Sequence, residues 1–383
     1  MKVLFFPGSL ETGGAQAQAA LLARGLAGRG HEVRLLTLFP GGKFWDQLTA
    51  AGGPVPQALF ERRSGRLKTL RALAAAPAEL RRRAGASPPD VVLSSLYLSN
   101  LLAARAWPGP RPPLVWSVRG SDVPWTTIRR LYFEAGRSLA GRPRAVIYNS
   151  SAGRDWHLRR GFPSRGSRVI VNGIDTAVYF RDRTRGLPLR EAWGVGSEEE
   201  LVGLAGRLSP MKDHPTFLEA ASQVLRRRPS ARFVLIGGGT KRLERQLRAQ
   251  VHRLGLGDRL VWAGEVRRMS DAYNALDLLV SSSAYGEGFS NALAEGMASE
   301  LSIVATDCGD ARKVLGDTGR VVACRRPTRL AEAMVEALEE GMEVRQERGR
   351  AARSRVVEHF SVEQMVSRTE ALLEEVAASG GET

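Results

Sequence analysis

A chain of 383 residues, 43% hydrophobic and 25% charged, is long enough for two globular domains of about 150–200 residues and has the composition of ordinary soluble protein. It has no apolar run near the roughly 18 residues of a membrane-spanning helix, and Lys2–Phe6, cut off by Pro7-Gly8, is too brief for a signal-peptide core. The net charge of +16 points to an anionic partner, and two cysteines without metal-ligand spacing, Cys308 and Cys324, point to a reducing, cytoplasmic compartment.

In chain order, short apolar runs alternate with longer amphipathic stretches, as βαβ units and parallel sheets require. Strands are predicted at Val3–Phe6, Val33–Thr37, Val91–Ser94, Leu114–Val118, Ala145–Tyr148 and Val169–Val171. A helix over Ala15–Ala27 carries Leu21, Leu22 and Leu26 at helical spacing. After a polar, turn-rich join near Asn172–Arg185, strands follow at Leu201–Ala205, Arg232–Ile236, Leu260–Trp262, Leu278–Ser281, Ser302–Ala305 and Gly319–Val322. Helices near 216–228, 241–254, 291–298 and 328–340 separate them. The charge divides at the same join: 26 Lys+Arg against 10 Asp+Glu up to residue 180, and 30 against 30 from 181 onward. Only 6 of the 56 basic residues are lysine, as an arginine-favouring codon bias would give, but such a bias would load both halves alike. A basic first half facing an anionic partner accounts for the asymmetry better.

Open α/β sheets bind ligands beyond the carboxyl ends of their strands, so chemistry is expected in the loops there. The segment Tyr285–Glu295 follows a strand and opens a helix. Ser290 stands at the N-cap, and the first-turn N–H groups of Asn291, Ala292 and Leu293, with the helix dipole, suit a phosphate. Glu287 and Glu295, with seven residues between them, bracket that position as acceptors for sugar hydroxyls. The loop Gly206–Pro215 carries Arg207 and Lys212, cations able to neutralise a diphosphate leaving group. A third loop, Ser9–Ala15, holds Gly13 and Gly14, where backbone can approach a ligand closely; it matches neither G-x-G-x-x-G nor a P-loop.

The run Glu287-Gly288-Phe289-Ser290-Asn291-Ala292-Leu293-Ala294-Glu295-Gly296-Met297-Ala298, followed by Ile303–Thr306, resembles the Glu-x7-Glu signature of glycosyltransferase family 4. Gly206-Arg207-Leu208 with Lys212 is similar to that family's G-R-L-x-x-x-K-G, Asp213 standing in for the last glycine. Gly30-His31-Glu32-Val33, Asn149–Ala152, Val171–Asp175, Gly237–Gly239, Gly264–Val266 and His359–Ser361 extend the likeness over nearly the whole chain. The resemblance implies the GT-B fold, α/β with two Rossmann-like domains facing across a cleft. It implies an acceptor-binding domain over 1–175, a nucleotide-sugar-binding domain over 176–360, and a helix over 361–383 crossing back to the first. By the same resemblance Glu287 contacts the donor sugar, Glu295 binds the ribose, and the backbone of Gly288, Phe289, Ser290, Asn291, Ala292 and Leu293 holds the distal phosphate. Gly238 lies near the nucleotide, Val266 contacts the base through backbone, and Gly13-Gly14 reaches the donor phosphate and the acceptor. Many members carry a histidine after the fourth strand of the first domain; here Arg119 takes that place, unable to act as a base but able to bind a phosphate or orient the donor sugar.

The chain has no Asp-x-Asp motif, so no metal and no cofactor are expected; Arg207, Lys212 and the helix N-terminus would stabilise the departing diphosphate instead. The family implies a retaining transfer, with front-face attack and the leaving phosphate taking the acceptor's proton. UDP is the preferred nucleotide of the donor. Two other readings compete. The charge suits a nucleic-acid-binding protein, though no nucleic-acid-binding motif is visible, and a GT-B epimerase would act on the nucleotide-sugar alone. The acceptor reading rests on residues 62–83, where Arg62, Arg63, Arg66, Lys68, Arg71, Arg81, Arg82 and Arg83 face one acid, Glu79. With Leu67, Leu70 and Ala74 at helical spacing, this stretch could lie on an anionic membrane, next to a lipid-linked or anionic glycan of cell-surface polysaccharide synthesis. The alternative places those leucines in the domain core.

Overall fold

The computed structural model describes residues 1–50, 52–61, 65–85, 87–119 and 127–379; Arg62, Arg63 and the side chain of Arg66 lie outside them. The chain forms two compact units, Met1–Gly173 completed by Val362–Thr383, and Ile174–Ser361.

The first unit runs β1 (Lys2–Gly8), α1 (Gly14–Gly28), β2 (Glu32–Thr37), α2 (Lys43–Ala50), β3 (Gln57–Ala58), α3 (Arg66–Gly85) and β4 (Val91–Ser95). It continues with α4 (Tyr97–Ala106), β5 (Leu114–Val118), α5 (Thr127–Leu139), β6 (Ala145–Tyr148), α6 (Ser151–Leu158) and β7 (Ser167–Val169). Its parallel sheet has the order β3-β2-β1-β4-β5-β6-β7. The central strands β4 and β5 are buried along their whole length, as strands covered by helices on both faces must be. The edge strand β7 sits two residues earlier than the sequence suggests. Its register is set by pairing with β6 (Ile147 with Arg168), and the arginine interrupts the apolar pattern that marks a strand.

The second unit runs α7 (Arg183–Ala192), β8 (Leu201–Ala205), α8 (His214–Arg227), β9 (Arg232–Ile236), α9 (Lys241–Arg253), β10 (Leu260–Gly264) and α10 (Met269–Ala275). Then come β11 (Leu278–Ser281), α11 (Asn291–Ala298), β12 (Ser302–Thr306), α12 (Ala311–Leu315), β13 (Arg320–Val322), α13 (Pro327–Glu339) and α14 (Met342–His359). Here the parallel sheet order is β10-β9-β8-β11-β12-β13.

The last helix, α15 (Val362–Ser379), belongs to the first unit. Its Met365, Val366, Leu372, Leu373 and Val376 share a core with Val3, Phe5, Leu22, Leu26 and Leu93. A Cβ at Gly25 would lie 2.3 Å from Val366, so α1 approaches this helix as closely as only glycine permits. Arg29 forms ion pairs with both Glu363 and Glu370, and His31 Nε2 sits 2.6 Å from Glu370. Gln18 fixes Gly173 from both sides, donating to its carbonyl at 2.9 Å and accepting from its N–H at 2.8 Å.

On α3, Leu67 and Leu70 are 64% and 62% exposed and Ala74 is exposed as well, while Ala76, Leu80 and Ala84 turn into the core. The possibility that Leu67 and Leu70 pack inward is therefore overturned. The buried stripe of this helix begins a turn later.

Candidate active site

In the second unit, connections to β9 and β10 leave β8 on one side and the chain resumes at β11 on the other. The strand order therefore reverses between β8 and β11. A crevice forms at such a switch point, outside the carboxyl ends of the two strands. The loop after β8 carries Arg207 and Lys212, and the loop after β11 carries Glu287 and leads into α11. The two loops are stitched together: Ser282 Oγ donates to the Lys212 carbonyl at 2.7 Å and the Ala284 N–H donates to the Met211 carbonyl at 2.9 Å.

Lys212 and Glu287 meet as an ion pair across this crevice, their side chains 15% and 11% exposed. Ser283 Oγ adds a second hydrogen bond to the same Glu287 oxygen at 2.9 Å. Arg207 stands exposed on the same loop as Lys212. Phe289 is buried and meets Phe360 edge-to-face at 5.4 Å, which anchors the loop so that its backbone, and not this ring, faces any ligand. Gly288 and Leu293 are buried as well, with Asn291 and Ala292 half-buried at the start of α11. Ser290 occupies the N-cap of α11 without capping it, and its hydroxyl is buried with no partner. Such an orphan beside first-turn N–H groups is a donor set awaiting an acceptor, and a phosphate oxygen suits it.

The neighbouring loops close the same end of the sheet. The Gly237 N–H donates to Gly264 at 2.7 Å and the Leu208 N–H to Gly238 at 2.8 Å, which brings the loops after β8, β9 and β10 side by side. Glu265 lies over Gly238, where a Cβ would stand 2.9 Å from its carboxylate, and Val266 follows, half-buried. Glu295 sits just over one turn into α11, where Tyr273 donates to it at 2.8 Å and Tyr179 donates to the same carboxyl. Burial pushes its pKa up to about 7, opposed by the two tyrosines and by Lys212.

The second unit thus brings together Arg207, Lys212, Gly238, Val266, Glu287 to Leu293 and Glu295. Gly13, Gly14 and Arg119 belong to the first unit. Gly13 caps the start of α1 and Gly14 is its first residue. Arg119 turns inward, donating to the Asn172 side chain beside a small cavity lined by Phe5, Leu93, Ile170 and Met365. Burial lowers its pKa to about 10. Tyr179, Tyr273 and Ser283 went unmarked in the sequence because nothing local sets them apart. They reach the two glutamates only through the fold. Among the histidines, His157 is buried against Tyr97 and Gly153, His214 is buried with its pKa lowered to about 4, and His252 is exposed.

Residues 12–178 match the family described as Glycosyltransferase Family 4, and residues 199–340 match Glycosyl transferases group 1. The lipopolysaccharide core biosynthesis mannosyltransferase LpsB of Rhizobium meliloti is 30% identical over 208 residues, 51% of this chain and 57% of its own length. The chain therefore spans little more than half of that relative. The phosphatidyl-myo-inositol mannosyltransferase of Mycobacterium tuberculosis is 25% identical over 382 residues, covering 96% of this chain and 94% of its own. Among solved structures, HepE of Anabaena superposes with a TM-score of 0.84 at 22% identity, over 98% of this chain and 100% of that one. The sucrose-phosphate synthase of Thermosynechococcus elongatus gives 0.84 at 17%, over 99% of each. At these identities the structural likeness is one of fold, the two-domain α/β GT-B fold. The two family matches take in both loops of the switch point and the glycine turn of the first unit, and on them the chain belongs to the group 1 / family 4 glycosyltransferases.

Proposed function

We propose that the protein moves a sugar from a nucleotide-diphospho-sugar to an acceptor hydroxyl, with retention at the anomeric carbon and without a metal ion. The observation that carries this reading is the convergence at the β8/β11 switch point of Lys212, Arg207, the α11 N-terminus and the orphan Ser290 hydroxyl. All are donors carried by the two adjoining loops, and negative charge developing on a departing diphosphate is what such donors stabilise, at roughly 3–4 kcal/mol each in measured oxyanion sites. Glu287, the acid ion-paired with Lys212, is already neutralised by it. A carboxylate engaged in this way is a poor cation ligand, which supports a metal-independent route. Glu287 would then meet the donor sugar and Glu295 the ribose. Retention follows from the family resemblance, with front-face attack, the departing phosphate oxygen accepting the acceptor's proton.

The donor's base is open to a direct test. Relatives include a GDP-mannose-dependent mannosyltransferase of Mycobacterium tuberculosis, 26% identical over 248 residues, while HepE was crystallised with UDP. UDP and GDP at millimolar concentration are each to be compared for the rise in melting temperature. A ligand at a hundredfold excess over Kd stabilises by about 2.7 kcal/mol. Transfer is expected to survive EDTA. No shift with either nucleotide, nor with ADP, overturns the reading, and activity lost to EDTA and restored by Mn2+ overturns its metal-free part.

The exposed Leu67, Leu70 and Ala74, together with Lys68 and Arg71 on α3, support a lipid-linked or anionic acceptor met at a membrane surface. Each basic residue near anionic headgroups contributes about 1 kcal/mol, and no helix among the described residues is long and apolar enough to cross a bilayer. In liposome flotation the protein should bind vesicles containing anionic lipid, release them as salt rises, and bind weakly after Leu67→Ser with Leu70→Ser. Indifference to anionic vesicles at low salt would point to a soluble acceptor.

A further inference from the structure

Glu295 is held in an unusual way for a residue on the first turns of a helix. Tyr273, on α10 and 1% exposed, donates to its Oε2 at 2.8 Å, and Tyr179, half-buried after Asp175, donates to the same carboxyl. The two rings meet edge-to-face at 5.9 Å. Burial and the adjacent carboxylate push both phenols far above their ordinary range, so each stays a neutral donor at any working pH. Arg353, on α14, braces the arrangement by donating to the backbone carbonyls of Tyr179 at 2.8 Å, Thr176 at 3.1 Å and Ala298 at 2.6 Å. Lys212 is the cation facing Glu295 from the loop after β8, and Asp175 is the acid facing Tyr179.

A carboxylate offers about four lone-pair positions. Two tyrosines fill two of them and fix the plane of the group, so the remaining two point in a set direction. We propose that Tyr179 and Tyr273 are positioning residues for the nucleotide, orienting the Glu295 carboxylate so that its free lone pairs accept both hydroxyls of a ribose cis-diol. This rests on the reading of Glu295 as the ribose ligand and extends it to selection for ribonucleotides over deoxyribonucleotides.

The arrangement has a pH signature. With the carboxyl titrating at about 7, protonation below that value removes an acceptor, and the grip on the diol weakens as pH falls. Without one tyrosine donor the charged form is less stabilised, so the titration moves upward. Tyr273→Phe removes one hydroxyl and keeps the ring. In calorimetric titrations with GDP and UDP, the pH midpoint of binding should rise by about one unit and Kd at pH 7 by about fivefold, approaching about tenfold well below the midpoint, since one unit corresponds to a tenfold change. At pH 9 Kd should return towards the wild-type value. Binding of 2′-deoxy-GDP or 2′-deoxy-UDP should change much less, so the ribo-to-deoxy ratio falls. Glu295→Gln should bind with no midpoint near 7. A purely structural role for Tyr273 would weaken binding equally at every pH, and an unmoved midpoint with an unchanged ribo-to-deoxy ratio overturns the proposal. If the wild type binds neither nucleotide, the donor-site reading itself has failed. The 13C carboxyl titration of Glu295 then still decides the tyrosine contacts, because its midpoint must rise in Tyr273→Phe with no ligand present.

Discussion

Changing Lys212 to methionine is expected to lower both stability and turnover, and changing Glu287 to glutamine alongside it should restore only the first. The two side chains are 15% and 11% exposed. Removing the cation leaves a nearly buried carboxylate that keeps the Ser283 hydroxyl as a donor but loses its ion-pair partner. Breaking buried pairs in this one-sided way costs about 3–5 kcal/mol; the residual exposure here argues for roughly the lower bound. For a unit of this size that corresponds to a fall in melting temperature of about 6–12 °C. In Lys212→Met/Glu287→Gln no charge is stranded, so most of the loss should return. Turnover should not return. One cation fewer against the departing diphosphate is expected to lower kcat by about 10²–10³-fold in the single variant, and by at least as much in the double variant, which also alters the glutamate assigned to the donor sugar. Thermal denaturation and steady-state kinetics on the three proteins check both parts. A double variant no more stable than the single one would show that the ion pair is not the source of the loss.

Gly309→Ala should be nearly as damaging to activity, by a route that touches no charge. Gly309 has φ +64°, and a Cβ there would stand 2.6 Å from the Glu287 carbonyl and 2.7 Å from that of Gly288. The Asp310 N–H donates to the Gly288 carbonyl at 3.1 Å, so the loop after β12 is laid directly on the backbone that presents Glu287. An alanine must push that backbone away, and a displacement of about 1 Å in a reacting geometry can cost on the order of 100-fold in rate. Gly255 supplies the control. Its φ is +65°, yet a Cβ there meets nothing within 4 Å. Gly255→Ala therefore carries the same backbone strain, a loss of about 1 kcal/mol, and should keep wild-type turnover. Equal loss of activity in both would refute the steric account.

Much of the sheet architecture could be read directly from residue order. The strands Leu114–Val118, Ala145–Tyr148, Leu201–Ala205, Arg232–Ile236 and Leu278–Ser281 stand where short apolar runs predict them. Fully buried parallel strands must be continuously apolar, and that leaves a plain trace. Helices α4, α5, α7 and α10 were not foreseen. In α4, Leu101 to Ala104 is apolar on every side because the helix is buried nearly all round, so the 3.6-residue periodicity that betrays a surface helix is missing. The same contrast runs through the site. Glu287, Glu295, Arg207 and Lys212 stand out in the sequence because they lie on two short segments with a recognisable spacing. Tyr179 lies far from Glu295 in sequence, and its contact depends on how α10, α11 and the start of the second unit pack. No local pattern encodes that. Arg119 was legible as a cation in an unusual place, but its turn towards Asn172 was not.

The helix Val362–Ser379 has a consequence for how the chain comes off the ribosome. By residue 361 every residue of the second unit has been added. The first unit, begun much earlier, still lacks Met365, Val366, Leu372, Leu373 and Val376 from the core they share with Phe5 and Leu26. The half made first is thus the half finished last, since the core along α1 lacks this helix until the other half has been made. The same ordering governs any attempt to exchange halves between related proteins. A chimaera cut only at Gly173 would pair one parent's α1 with the other's final helix, setting Gly25 and Arg29 against residues not selected to receive them.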